Sequence, residues 1–360
     1  MSTTTACPVT GTGTPVPAKG AAAPRRGDAS GTKRTAWLVA AVVVLVLVAG
    51  ASLAVGARDV ALGDVWQALA AFDPTNGDHA VVQARIPRTL LGLLAGGALG
   101  LAGAAMQGVA RNPLADPGII GVNAGAALAV VIGIYVFGVA SFSGYVWFAF
   151  LGAAAAAVVV YLIASLGRDG ATPVKLALAG AALSAGLSSL MNVILVSSQD
   201  TLDRFRFWQV GGIAGRDWTV LLPGLPFLAA GALLVLLAGR TLNGLALGDD
   251  VARGLGQRVG ASRAVVALGI VLLCGTATAL AGPIGFVGLV VPHAVRFLTG
   301  PDYRWILPFS LVLAPVLLMG ADILGRVVLL PGEVPAGIMT ALVGAPVFVW
   351  LIRRGKGAGL

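Results

Sequence analysis

Arg85 and Arg88 flank Ile86-Pro87 in a 360-residue chain, so two guanidinium groups are held close on a proline-stiffened backbone, an arrangement chemically too specific to be a mere membrane anchor. A second charged group, Asp249-Asp250 followed by Arg253, stands in LGDDVARGLG (247–256), where the carboxylates can cap a short helix and favour its positive end. Asp322, close to the end of an apolar run, stands beside Arg326 just after it, and the two could pair with one another. Catalytic constellations are another matter. His79 and His293 are the two histidines, and no HExxH, CxxC or GxSxG arrangement occurs. Lys19, Lys33, Lys175 and Lys356 are followed by Gly, Arg, Leu and Gly, whereas a phosphate-binding loop needs Lys followed by Ser or Thr. The chain is therefore expected not to be an enzyme, and any ATP-driven work falls to a partner. Cys7 and Cys274, one near the N-terminus and one inside an apolar run, predict neither a disulfide nor a metal site.

The elements that must position these residues are membrane helices. Apolar residues make up 58% of the chain and charged ones 11%, and apolar runs of about 20 residues recur along nearly its whole length. Ten spans are expected, near 36–57, 88–110, 118–140, 144–166, 173–198, 219–240, 263–281, 284–298, 305–325 and 334–352. They must be helical, because unpaired backbone groups in hydrocarbon are prohibitively costly. The 24 basic residues outnumber the 15 acidic ones, and placement explains the excess. With a cytoplasmic N-terminus, every Lys and Arg falls inside except Arg58, Arg85, Arg88, Arg204, Arg206, Arg216 and Arg326, which puts both termini in the cytoplasm. Nucleic-acid binding is not expected; the lipid bilayer is the partner. The division read from this pattern is a disordered cytoplasmic tail over 1–35, a transmembrane domain over 36–354 and a cytoplasmic tail over 355–360.

Spacing then assigns faces. Gly92, Gly96, Gly100 and Ala104 recur every four residues, a nearly side-chain-free helix face against which another backbone can pack. Ser184, Ser188 and Asn192 repeat the interval in the fifth span, either lining an aqueous path or bonding a neighbouring helix. The segment about 240–263 is too polar to cross; Val251, Leu255 and Val259 form an apolar stripe in it, with Gly254, Gly256 and Gly260 allowing close approach or a break. That stripe suits a protein groove or the bilayer surface. In RNPLADP (111–117), Pro113 and Pro117 disfavour helix before them, so a tight cytoplasmic turn is expected. Proline at 87 reads as the opening of the second helix. GIIG (118–121) and GFVG (285–288) faintly echo one another. Carboxylates are scarce within the spans, with Glu333 the lone Glu, which disfavours an ion-coupled carrier, the alternative from another class.

RIPRTL (85–90), AMQGVARNPLADPGIIGV (105–122), LGDDVARGLG (247–256), GPIGFVGLVVPHAVR (282–296) and GEVPAGIMTALVGAPVFVWLI (332–352) resemble, in order, the FecCD-type permeases of ABC importers for iron-siderophores, haem and vitamin B12. The resemblance covers about residues 58–354. It implies an all-α, polytopic, ten-helix bundle of the vitamin B12 permease-like, type II importer kind in a bacterial inner membrane. It further implies a second permease subunit, two ATPase subunits that use ATP and Mg, and an extracytoplasmic binding protein that delivers a ferric siderophore or, as the alternative, vitamin B12 or haem. No cofactor on this chain is implied. By resemblance Arg85, Arg88 and Arg326 match binding-protein docking positions, with headgroup contact or the Asp322–Arg326 pair as the plainer reading. Asp249, Asp250, Val251, Arg253, Leu255, Gly256 and Val259 match the ATPase-coupling segment. Ser184, Ser188 and Asn192 match the channel helix, and Asn112, Leu114 and Thr172 the inner gate. His293 reads as structural.

Overall fold

The computed structural model describes residues 27–56, 58–166 and 172–355, and all regular structure among them is helical. In chain order the helices are α1 (Gly27–Ala54), α2 (Leu62–Ala70), α3 (Gly77–Ala110), α4 (Val122–Phe137), α5 (Phe142–Ser165), α6 (Pro173–Ser197), α7 (Gln199–Gln209), α8 (Trp218–Leu221), α9 (Leu225–Leu237), α10 (Gly239–Ala246), α11 (Asp249–Gly254), α12 (Val259–Ala281), α13 (Val287–Thr299), α14 (Tyr303–Val328) and α15 (Ala336–Gly355). Seven are long and apolar enough to cross a membrane, α8 and α9 counting as one run, and α4, α13 and α15 are shorter apolar helices. These ten correspond to the ten expected spans.

Three boundaries differ from the sequence reading. Helix α1 begins at Gly27, so 27–35 is helical where a disordered tail was expected; residues 1–26 and 356–360 of the two expected tails lie outside the described residues. Helix α3 begins at Gly77, and Pro87 is buried inside it rather than opening it. The reason is an earlier start signal: the Asn76 side chain accepts a hydrogen bond from the Asp78 amide at 2.9 Å, and Asp78 adds negative charge to the first turn. Helix α11 is likewise capped differently. Gly248 precedes it, and Asp249 and Asp250 are its first two residues rather than its cap.

Helix α3 is the axis of the bundle, buried along most of its length against α14, α12 and α13. The Gly face lies on α14. A Cβ at Gly96 would come within 2.6 Å of Pro315 Cα, and one at Gly100 within 2.5 Å of the Ser310 carbonyl oxygen. Lipid-solvated helices gain little from burying apolar surface against each other, so contact at this range depends on small residues. Helices α1 and α6, by contrast, leave most of their surface uncovered by the chain.

Candidate functional site

One end of the bundle carries α2, α7 and the arginines of RIPR; the other carries the 111–117 turn, α10 and α11. At the α7 end, Arg88 donates to both oxygens of Asp322, at 2.8 and 3.0 Å, and to Glu333 at 2.8 Å. Arg326 also pairs with Asp322, and both side chains are only 1% exposed. Its second nitrogen donates to the carbonyls of Ser52 (2.6 Å) and Val55 (3.1 Å). Arg85 donates to the carbonyls of Leu53, Ala54 and Arg58 at 2.6–2.9 Å. Two guanidinium groups thus satisfy carbonyls at the C-terminal end of α1, which no helical partner can reach and which carry the negative end of the dipole.

This changes the expected docking set. Arg326 is buried with its donors engaged by Asp322, Ser52 and Val55, so meeting a second protein would require it to give up these internal bonds. Arg85 is committed to α1. Arg88 is 13% exposed beside Glu333, which is one-third exposed, and the two line a small cavity of about 180 Å³ with Asp322 and Arg216. Asp322 is the carboxylate that organises the cluster, and its four-residue spacing from Arg326 was the available signal.

At the α11 end the apolar stripe is divided. Val251 and Leu255 are 48% and 64% exposed, and Leu247, four residues earlier, is 66% exposed. Val259 is buried with Leu245 and Ala252, because α11 stops at Gly254 and Gly256 turns the chain with a positive φ of 79°. The outward stripe is therefore Leu247, Val251 and Leu255, and Val259 leaves it. The carboxylates divide too. Asp250 makes an exposed pair with Arg253 at 2.8 Å. Asp249 turns inward, accepting from Arg263 of α12 at 2.8 Å and pairing with Arg111 at the end of α3. Helix α10 is tied elsewhere: Asn243 donates to Asp302 at 2.7 Å and accepts from the Tyr303 amide at 2.8 Å. Burial works against the Asp302 carboxylate, but that bond, the Arg304 amide and the charges of Arg304 and Arg34 hold it below the usual range.

Between α3 and α4 the chain re-enters the bundle rather than turning at its surface. Arg111 ends α3 in the left-handed conformation, φ 49°. Asn112 and Leu114 are exposed, with the Asn112 side chain accepting from the Leu114 amide at 2.9 Å. The path then runs inward: Pro117 packs at Gly288, whose own position faces the Leu99 carbonyl and Gly103. Gly103 lies eight residues before Arg111, or about 12 Å at 1.5 Å per residue. A 3-10 turn, Pro117–Ile120, is capped by Asp116, which accepts from the Gly118 amide at 2.7 Å. A Cβ at Gly180 of α6 would collide with the Ile119 carbonyl oxygen. That Asp116 can bond its own backbone in a turn is readable from the sequence; the depth at which it does so is not.

The other expected residues separate. Ser184 and Ser188 are half-buried and Asn192 is exposed on α6; a Cβ at Gly121 would lie 3.7 Å from the Ser184 hydroxyl oxygen. Thr172 caps α6, accepting from the Lys175 amide at 3.4 Å, a sufficient local reason for a Thr before Pro173.

A profile described as the FecCD transport family matches residues 42–354. The chain belongs to the FecCD transport family. Among FecCD-type relatives it is 46% identical over 311 residues to the ferric enterobactin transport system permease protein FepD of Escherichia coli K12, covering 86% of this chain and 92% of the relative. It is 41% identical over 325 residues to the Fe(3+)-citrate import system permease protein YfmD of Bacillus subtilis 168, with 90% and 96% covered. Against the hemin transport system permease protein HmuU of Yersinia pestis the figures are 37% over 320 residues, 87% and 93%. A solved structure of a metal-chelate type ABC transporter in an inward-facing conformation matches with TM-score 0.77 and 29% identity, covering 89% of this chain and 99% of that one. Within this FecCD chain His293 packs edge-on against Phe297 and Phe348, ring centroids 5.4 and 6.0 Å away, a packing position.

Proposed function

We propose that the chain is the membrane permease subunit of an ATP-driven importer that carries ferric siderophores delivered by an extracytoplasmic binding protein. The observation that carries this reading is the nearly full-length similarity to a ferric enterobactin permease protein. The α11 end is cytoplasmic and both termini lie on that side, a reading supported by the bias of basic residues. Leu247, Val251 and Leu255 form an apolar ridge that enters a groove of the partner ATPase, the way an amphipathic helix reads a partner. ATP and Mg act on that partner. A second permease subunit, the same chain or a relative, covers the open surface of α6, so that Asn192 with Ser184 and Ser188 borders a path between two copies. Weak, small polar groups suit the passage of a large chelate. The exposed Asn112 and Leu114, at the mouth of the re-entrant segment, form the inner gate. At the opposite end Arg88 and Glu333 present the charged rim for the binding protein, where complementary charge sets orientation and encounter rate more than affinity.

Replacing Leu255 by Asp tests the ATPase contact. A desolvated carboxylate in an apolar groove is expected to reduce ATPase co-purification at least ten-fold while permease abundance stays within two-fold of wild type. Undiminished co-purification would place the ATPase elsewhere.

A further inference from the structure

We infer that Asp249 is a positioning residue that transmits movement of α11 to the re-entrant segment through Arg111. The inference rests on the importer reading above and adds to it a mechanical route. Helix α11 has six residues, of which Ala252 alone is buried, packed with Leu245 and Val259. So small an apolar anchor leaves the helix held chiefly by what its polar side chains grip. Its outward side offers Val251 and Leu255; on the inward side the Asp249 carboxylate bonds Arg263, whose side chain is 7% exposed, and pairs with Arg111. The pairs are partly sheltered from water, so they are screened less than surface pairs and are directional.

Their destinations give the route. Arg263 is in the first turns of α12 and Arg111 caps α3, and these two helices pack along each other. Arg111 is also the residue at which the chain leaves α3. Its left-handed backbone, with its amide bonded to the carbonyls of Gln107 and Gly108, sets the direction in which Asn112 to Pro117 depart. A displacement of α11 therefore acts on the root of the segment that plugs the bundle between α3, α6 and α13. Helix α10, bonded through Asn243 to the start of α14, supplies a separate attachment against which α11 can move.

The test is the ratio of uptake to ATP hydrolysis in proteoliposomes holding the chain with its co-purifying ATPase and binding protein, using ferric enterobactin and ferric citrate as probes. Asp249→Asn keeps size and helix but removes the charge. It is expected to retain the ATPase, to hydrolyse ATP within two-fold of wild type, and to lower uptake per ATP at least ten-fold. Arg111→Gln should do the same, and the double variant should be no worse than either single one, because both remove one link. An unchanged ratio in both single variants, additive losses in the double variant, or loss of the ATPase from Asp249→Asn would each overturn the inference. Failure of the importer reading looks different: the wild-type chain itself would show no ATP-dependent uptake.

Discussion

Asp322→Ala is expected to remove most of the protein from the membrane. The substitution deletes the carboxylate that faces both Arg88 and Arg326, and at 1% exposure Arg326 is shielded from the solvent that could otherwise stabilise its charge. Breaking a buried pair from one side characteristically costs about 3–5 kcal/mol, because the surviving charge is left uncompensated. Here two cations would survive, and only Arg88 has a second acid, Glu333. The Arg326 guanidinium would keep its bonds to Ser52 and Val55, so α1 would stay attached to a destabilised α14 rather than detach cleanly. Quantified membrane abundance and thermal unfolding of the solubilised protein check this. The pair Asp322→Leu with Arg326→Met should be more abundant than Asp322→Ala alone, since replacing a buried ion pair by apolar residues of similar size is far less costly than breaking it. Asp322→Ala at wild-type abundance and melting temperature would show that the cluster does not hold this end of the bundle together.

Gly96→Leu carries the other large effect. At this position even a Cβ would stand 2.6 Å from Pro315 Cα and 2.8 Å from its nitrogen. Those are backbone atoms of α14 and cannot rotate aside, so the two helices must separate. Because α3 also packs on α12 and α13, separation on one side disturbs the axis of the whole bundle. Overpacking of this kind costs about 3 kcal/mol or more where backbone must move. Loss of folded protein is expected, whereas Gly320→Ala in α14, with nothing within 4 Å of the added carbon, should be tolerated and serves as the control. Equal stability of the two variants would mean that α3 and α14 do not meet along the Gly face.

What could be read in advance follows physical range. The Gly face was legible because a four-residue repeat is a local consequence of helix geometry, and the ten spans because hydrocarbon imposes length and composition. The end of α3 was legible as a turn but not as a re-entrant one: its depth depends on Gly103, Gly180 and Gly288, which come together only in the folded bundle. Arg88 was recognised as chemically special, yet its partner Asp322 is 234 positions away and could not be paired by spacing. Pro87 misled because a proline that can open a helix can also sit inside one when an earlier cap, Asn76, sets the start. Asp249 looked like a cap because caps are local, while Arg111 and Arg263 are brought to it by packing. Val259 looked like part of a stripe because four-residue spacing is local, while Gly254 and Gly256 allow either close approach or a break and only the fold shows the break.

The most direct test of the account is uptake by proteoliposomes containing the chain with and without its ATPase, loaded with the binding protein and presented with ferric enterobactin, ferric citrate or haem. Accumulation of a ferric siderophore is expected only when ATPase, ATP and Mg are all present, with none from an imposed proton or sodium gradient. Gradient-driven uptake by the chain alone would contradict it.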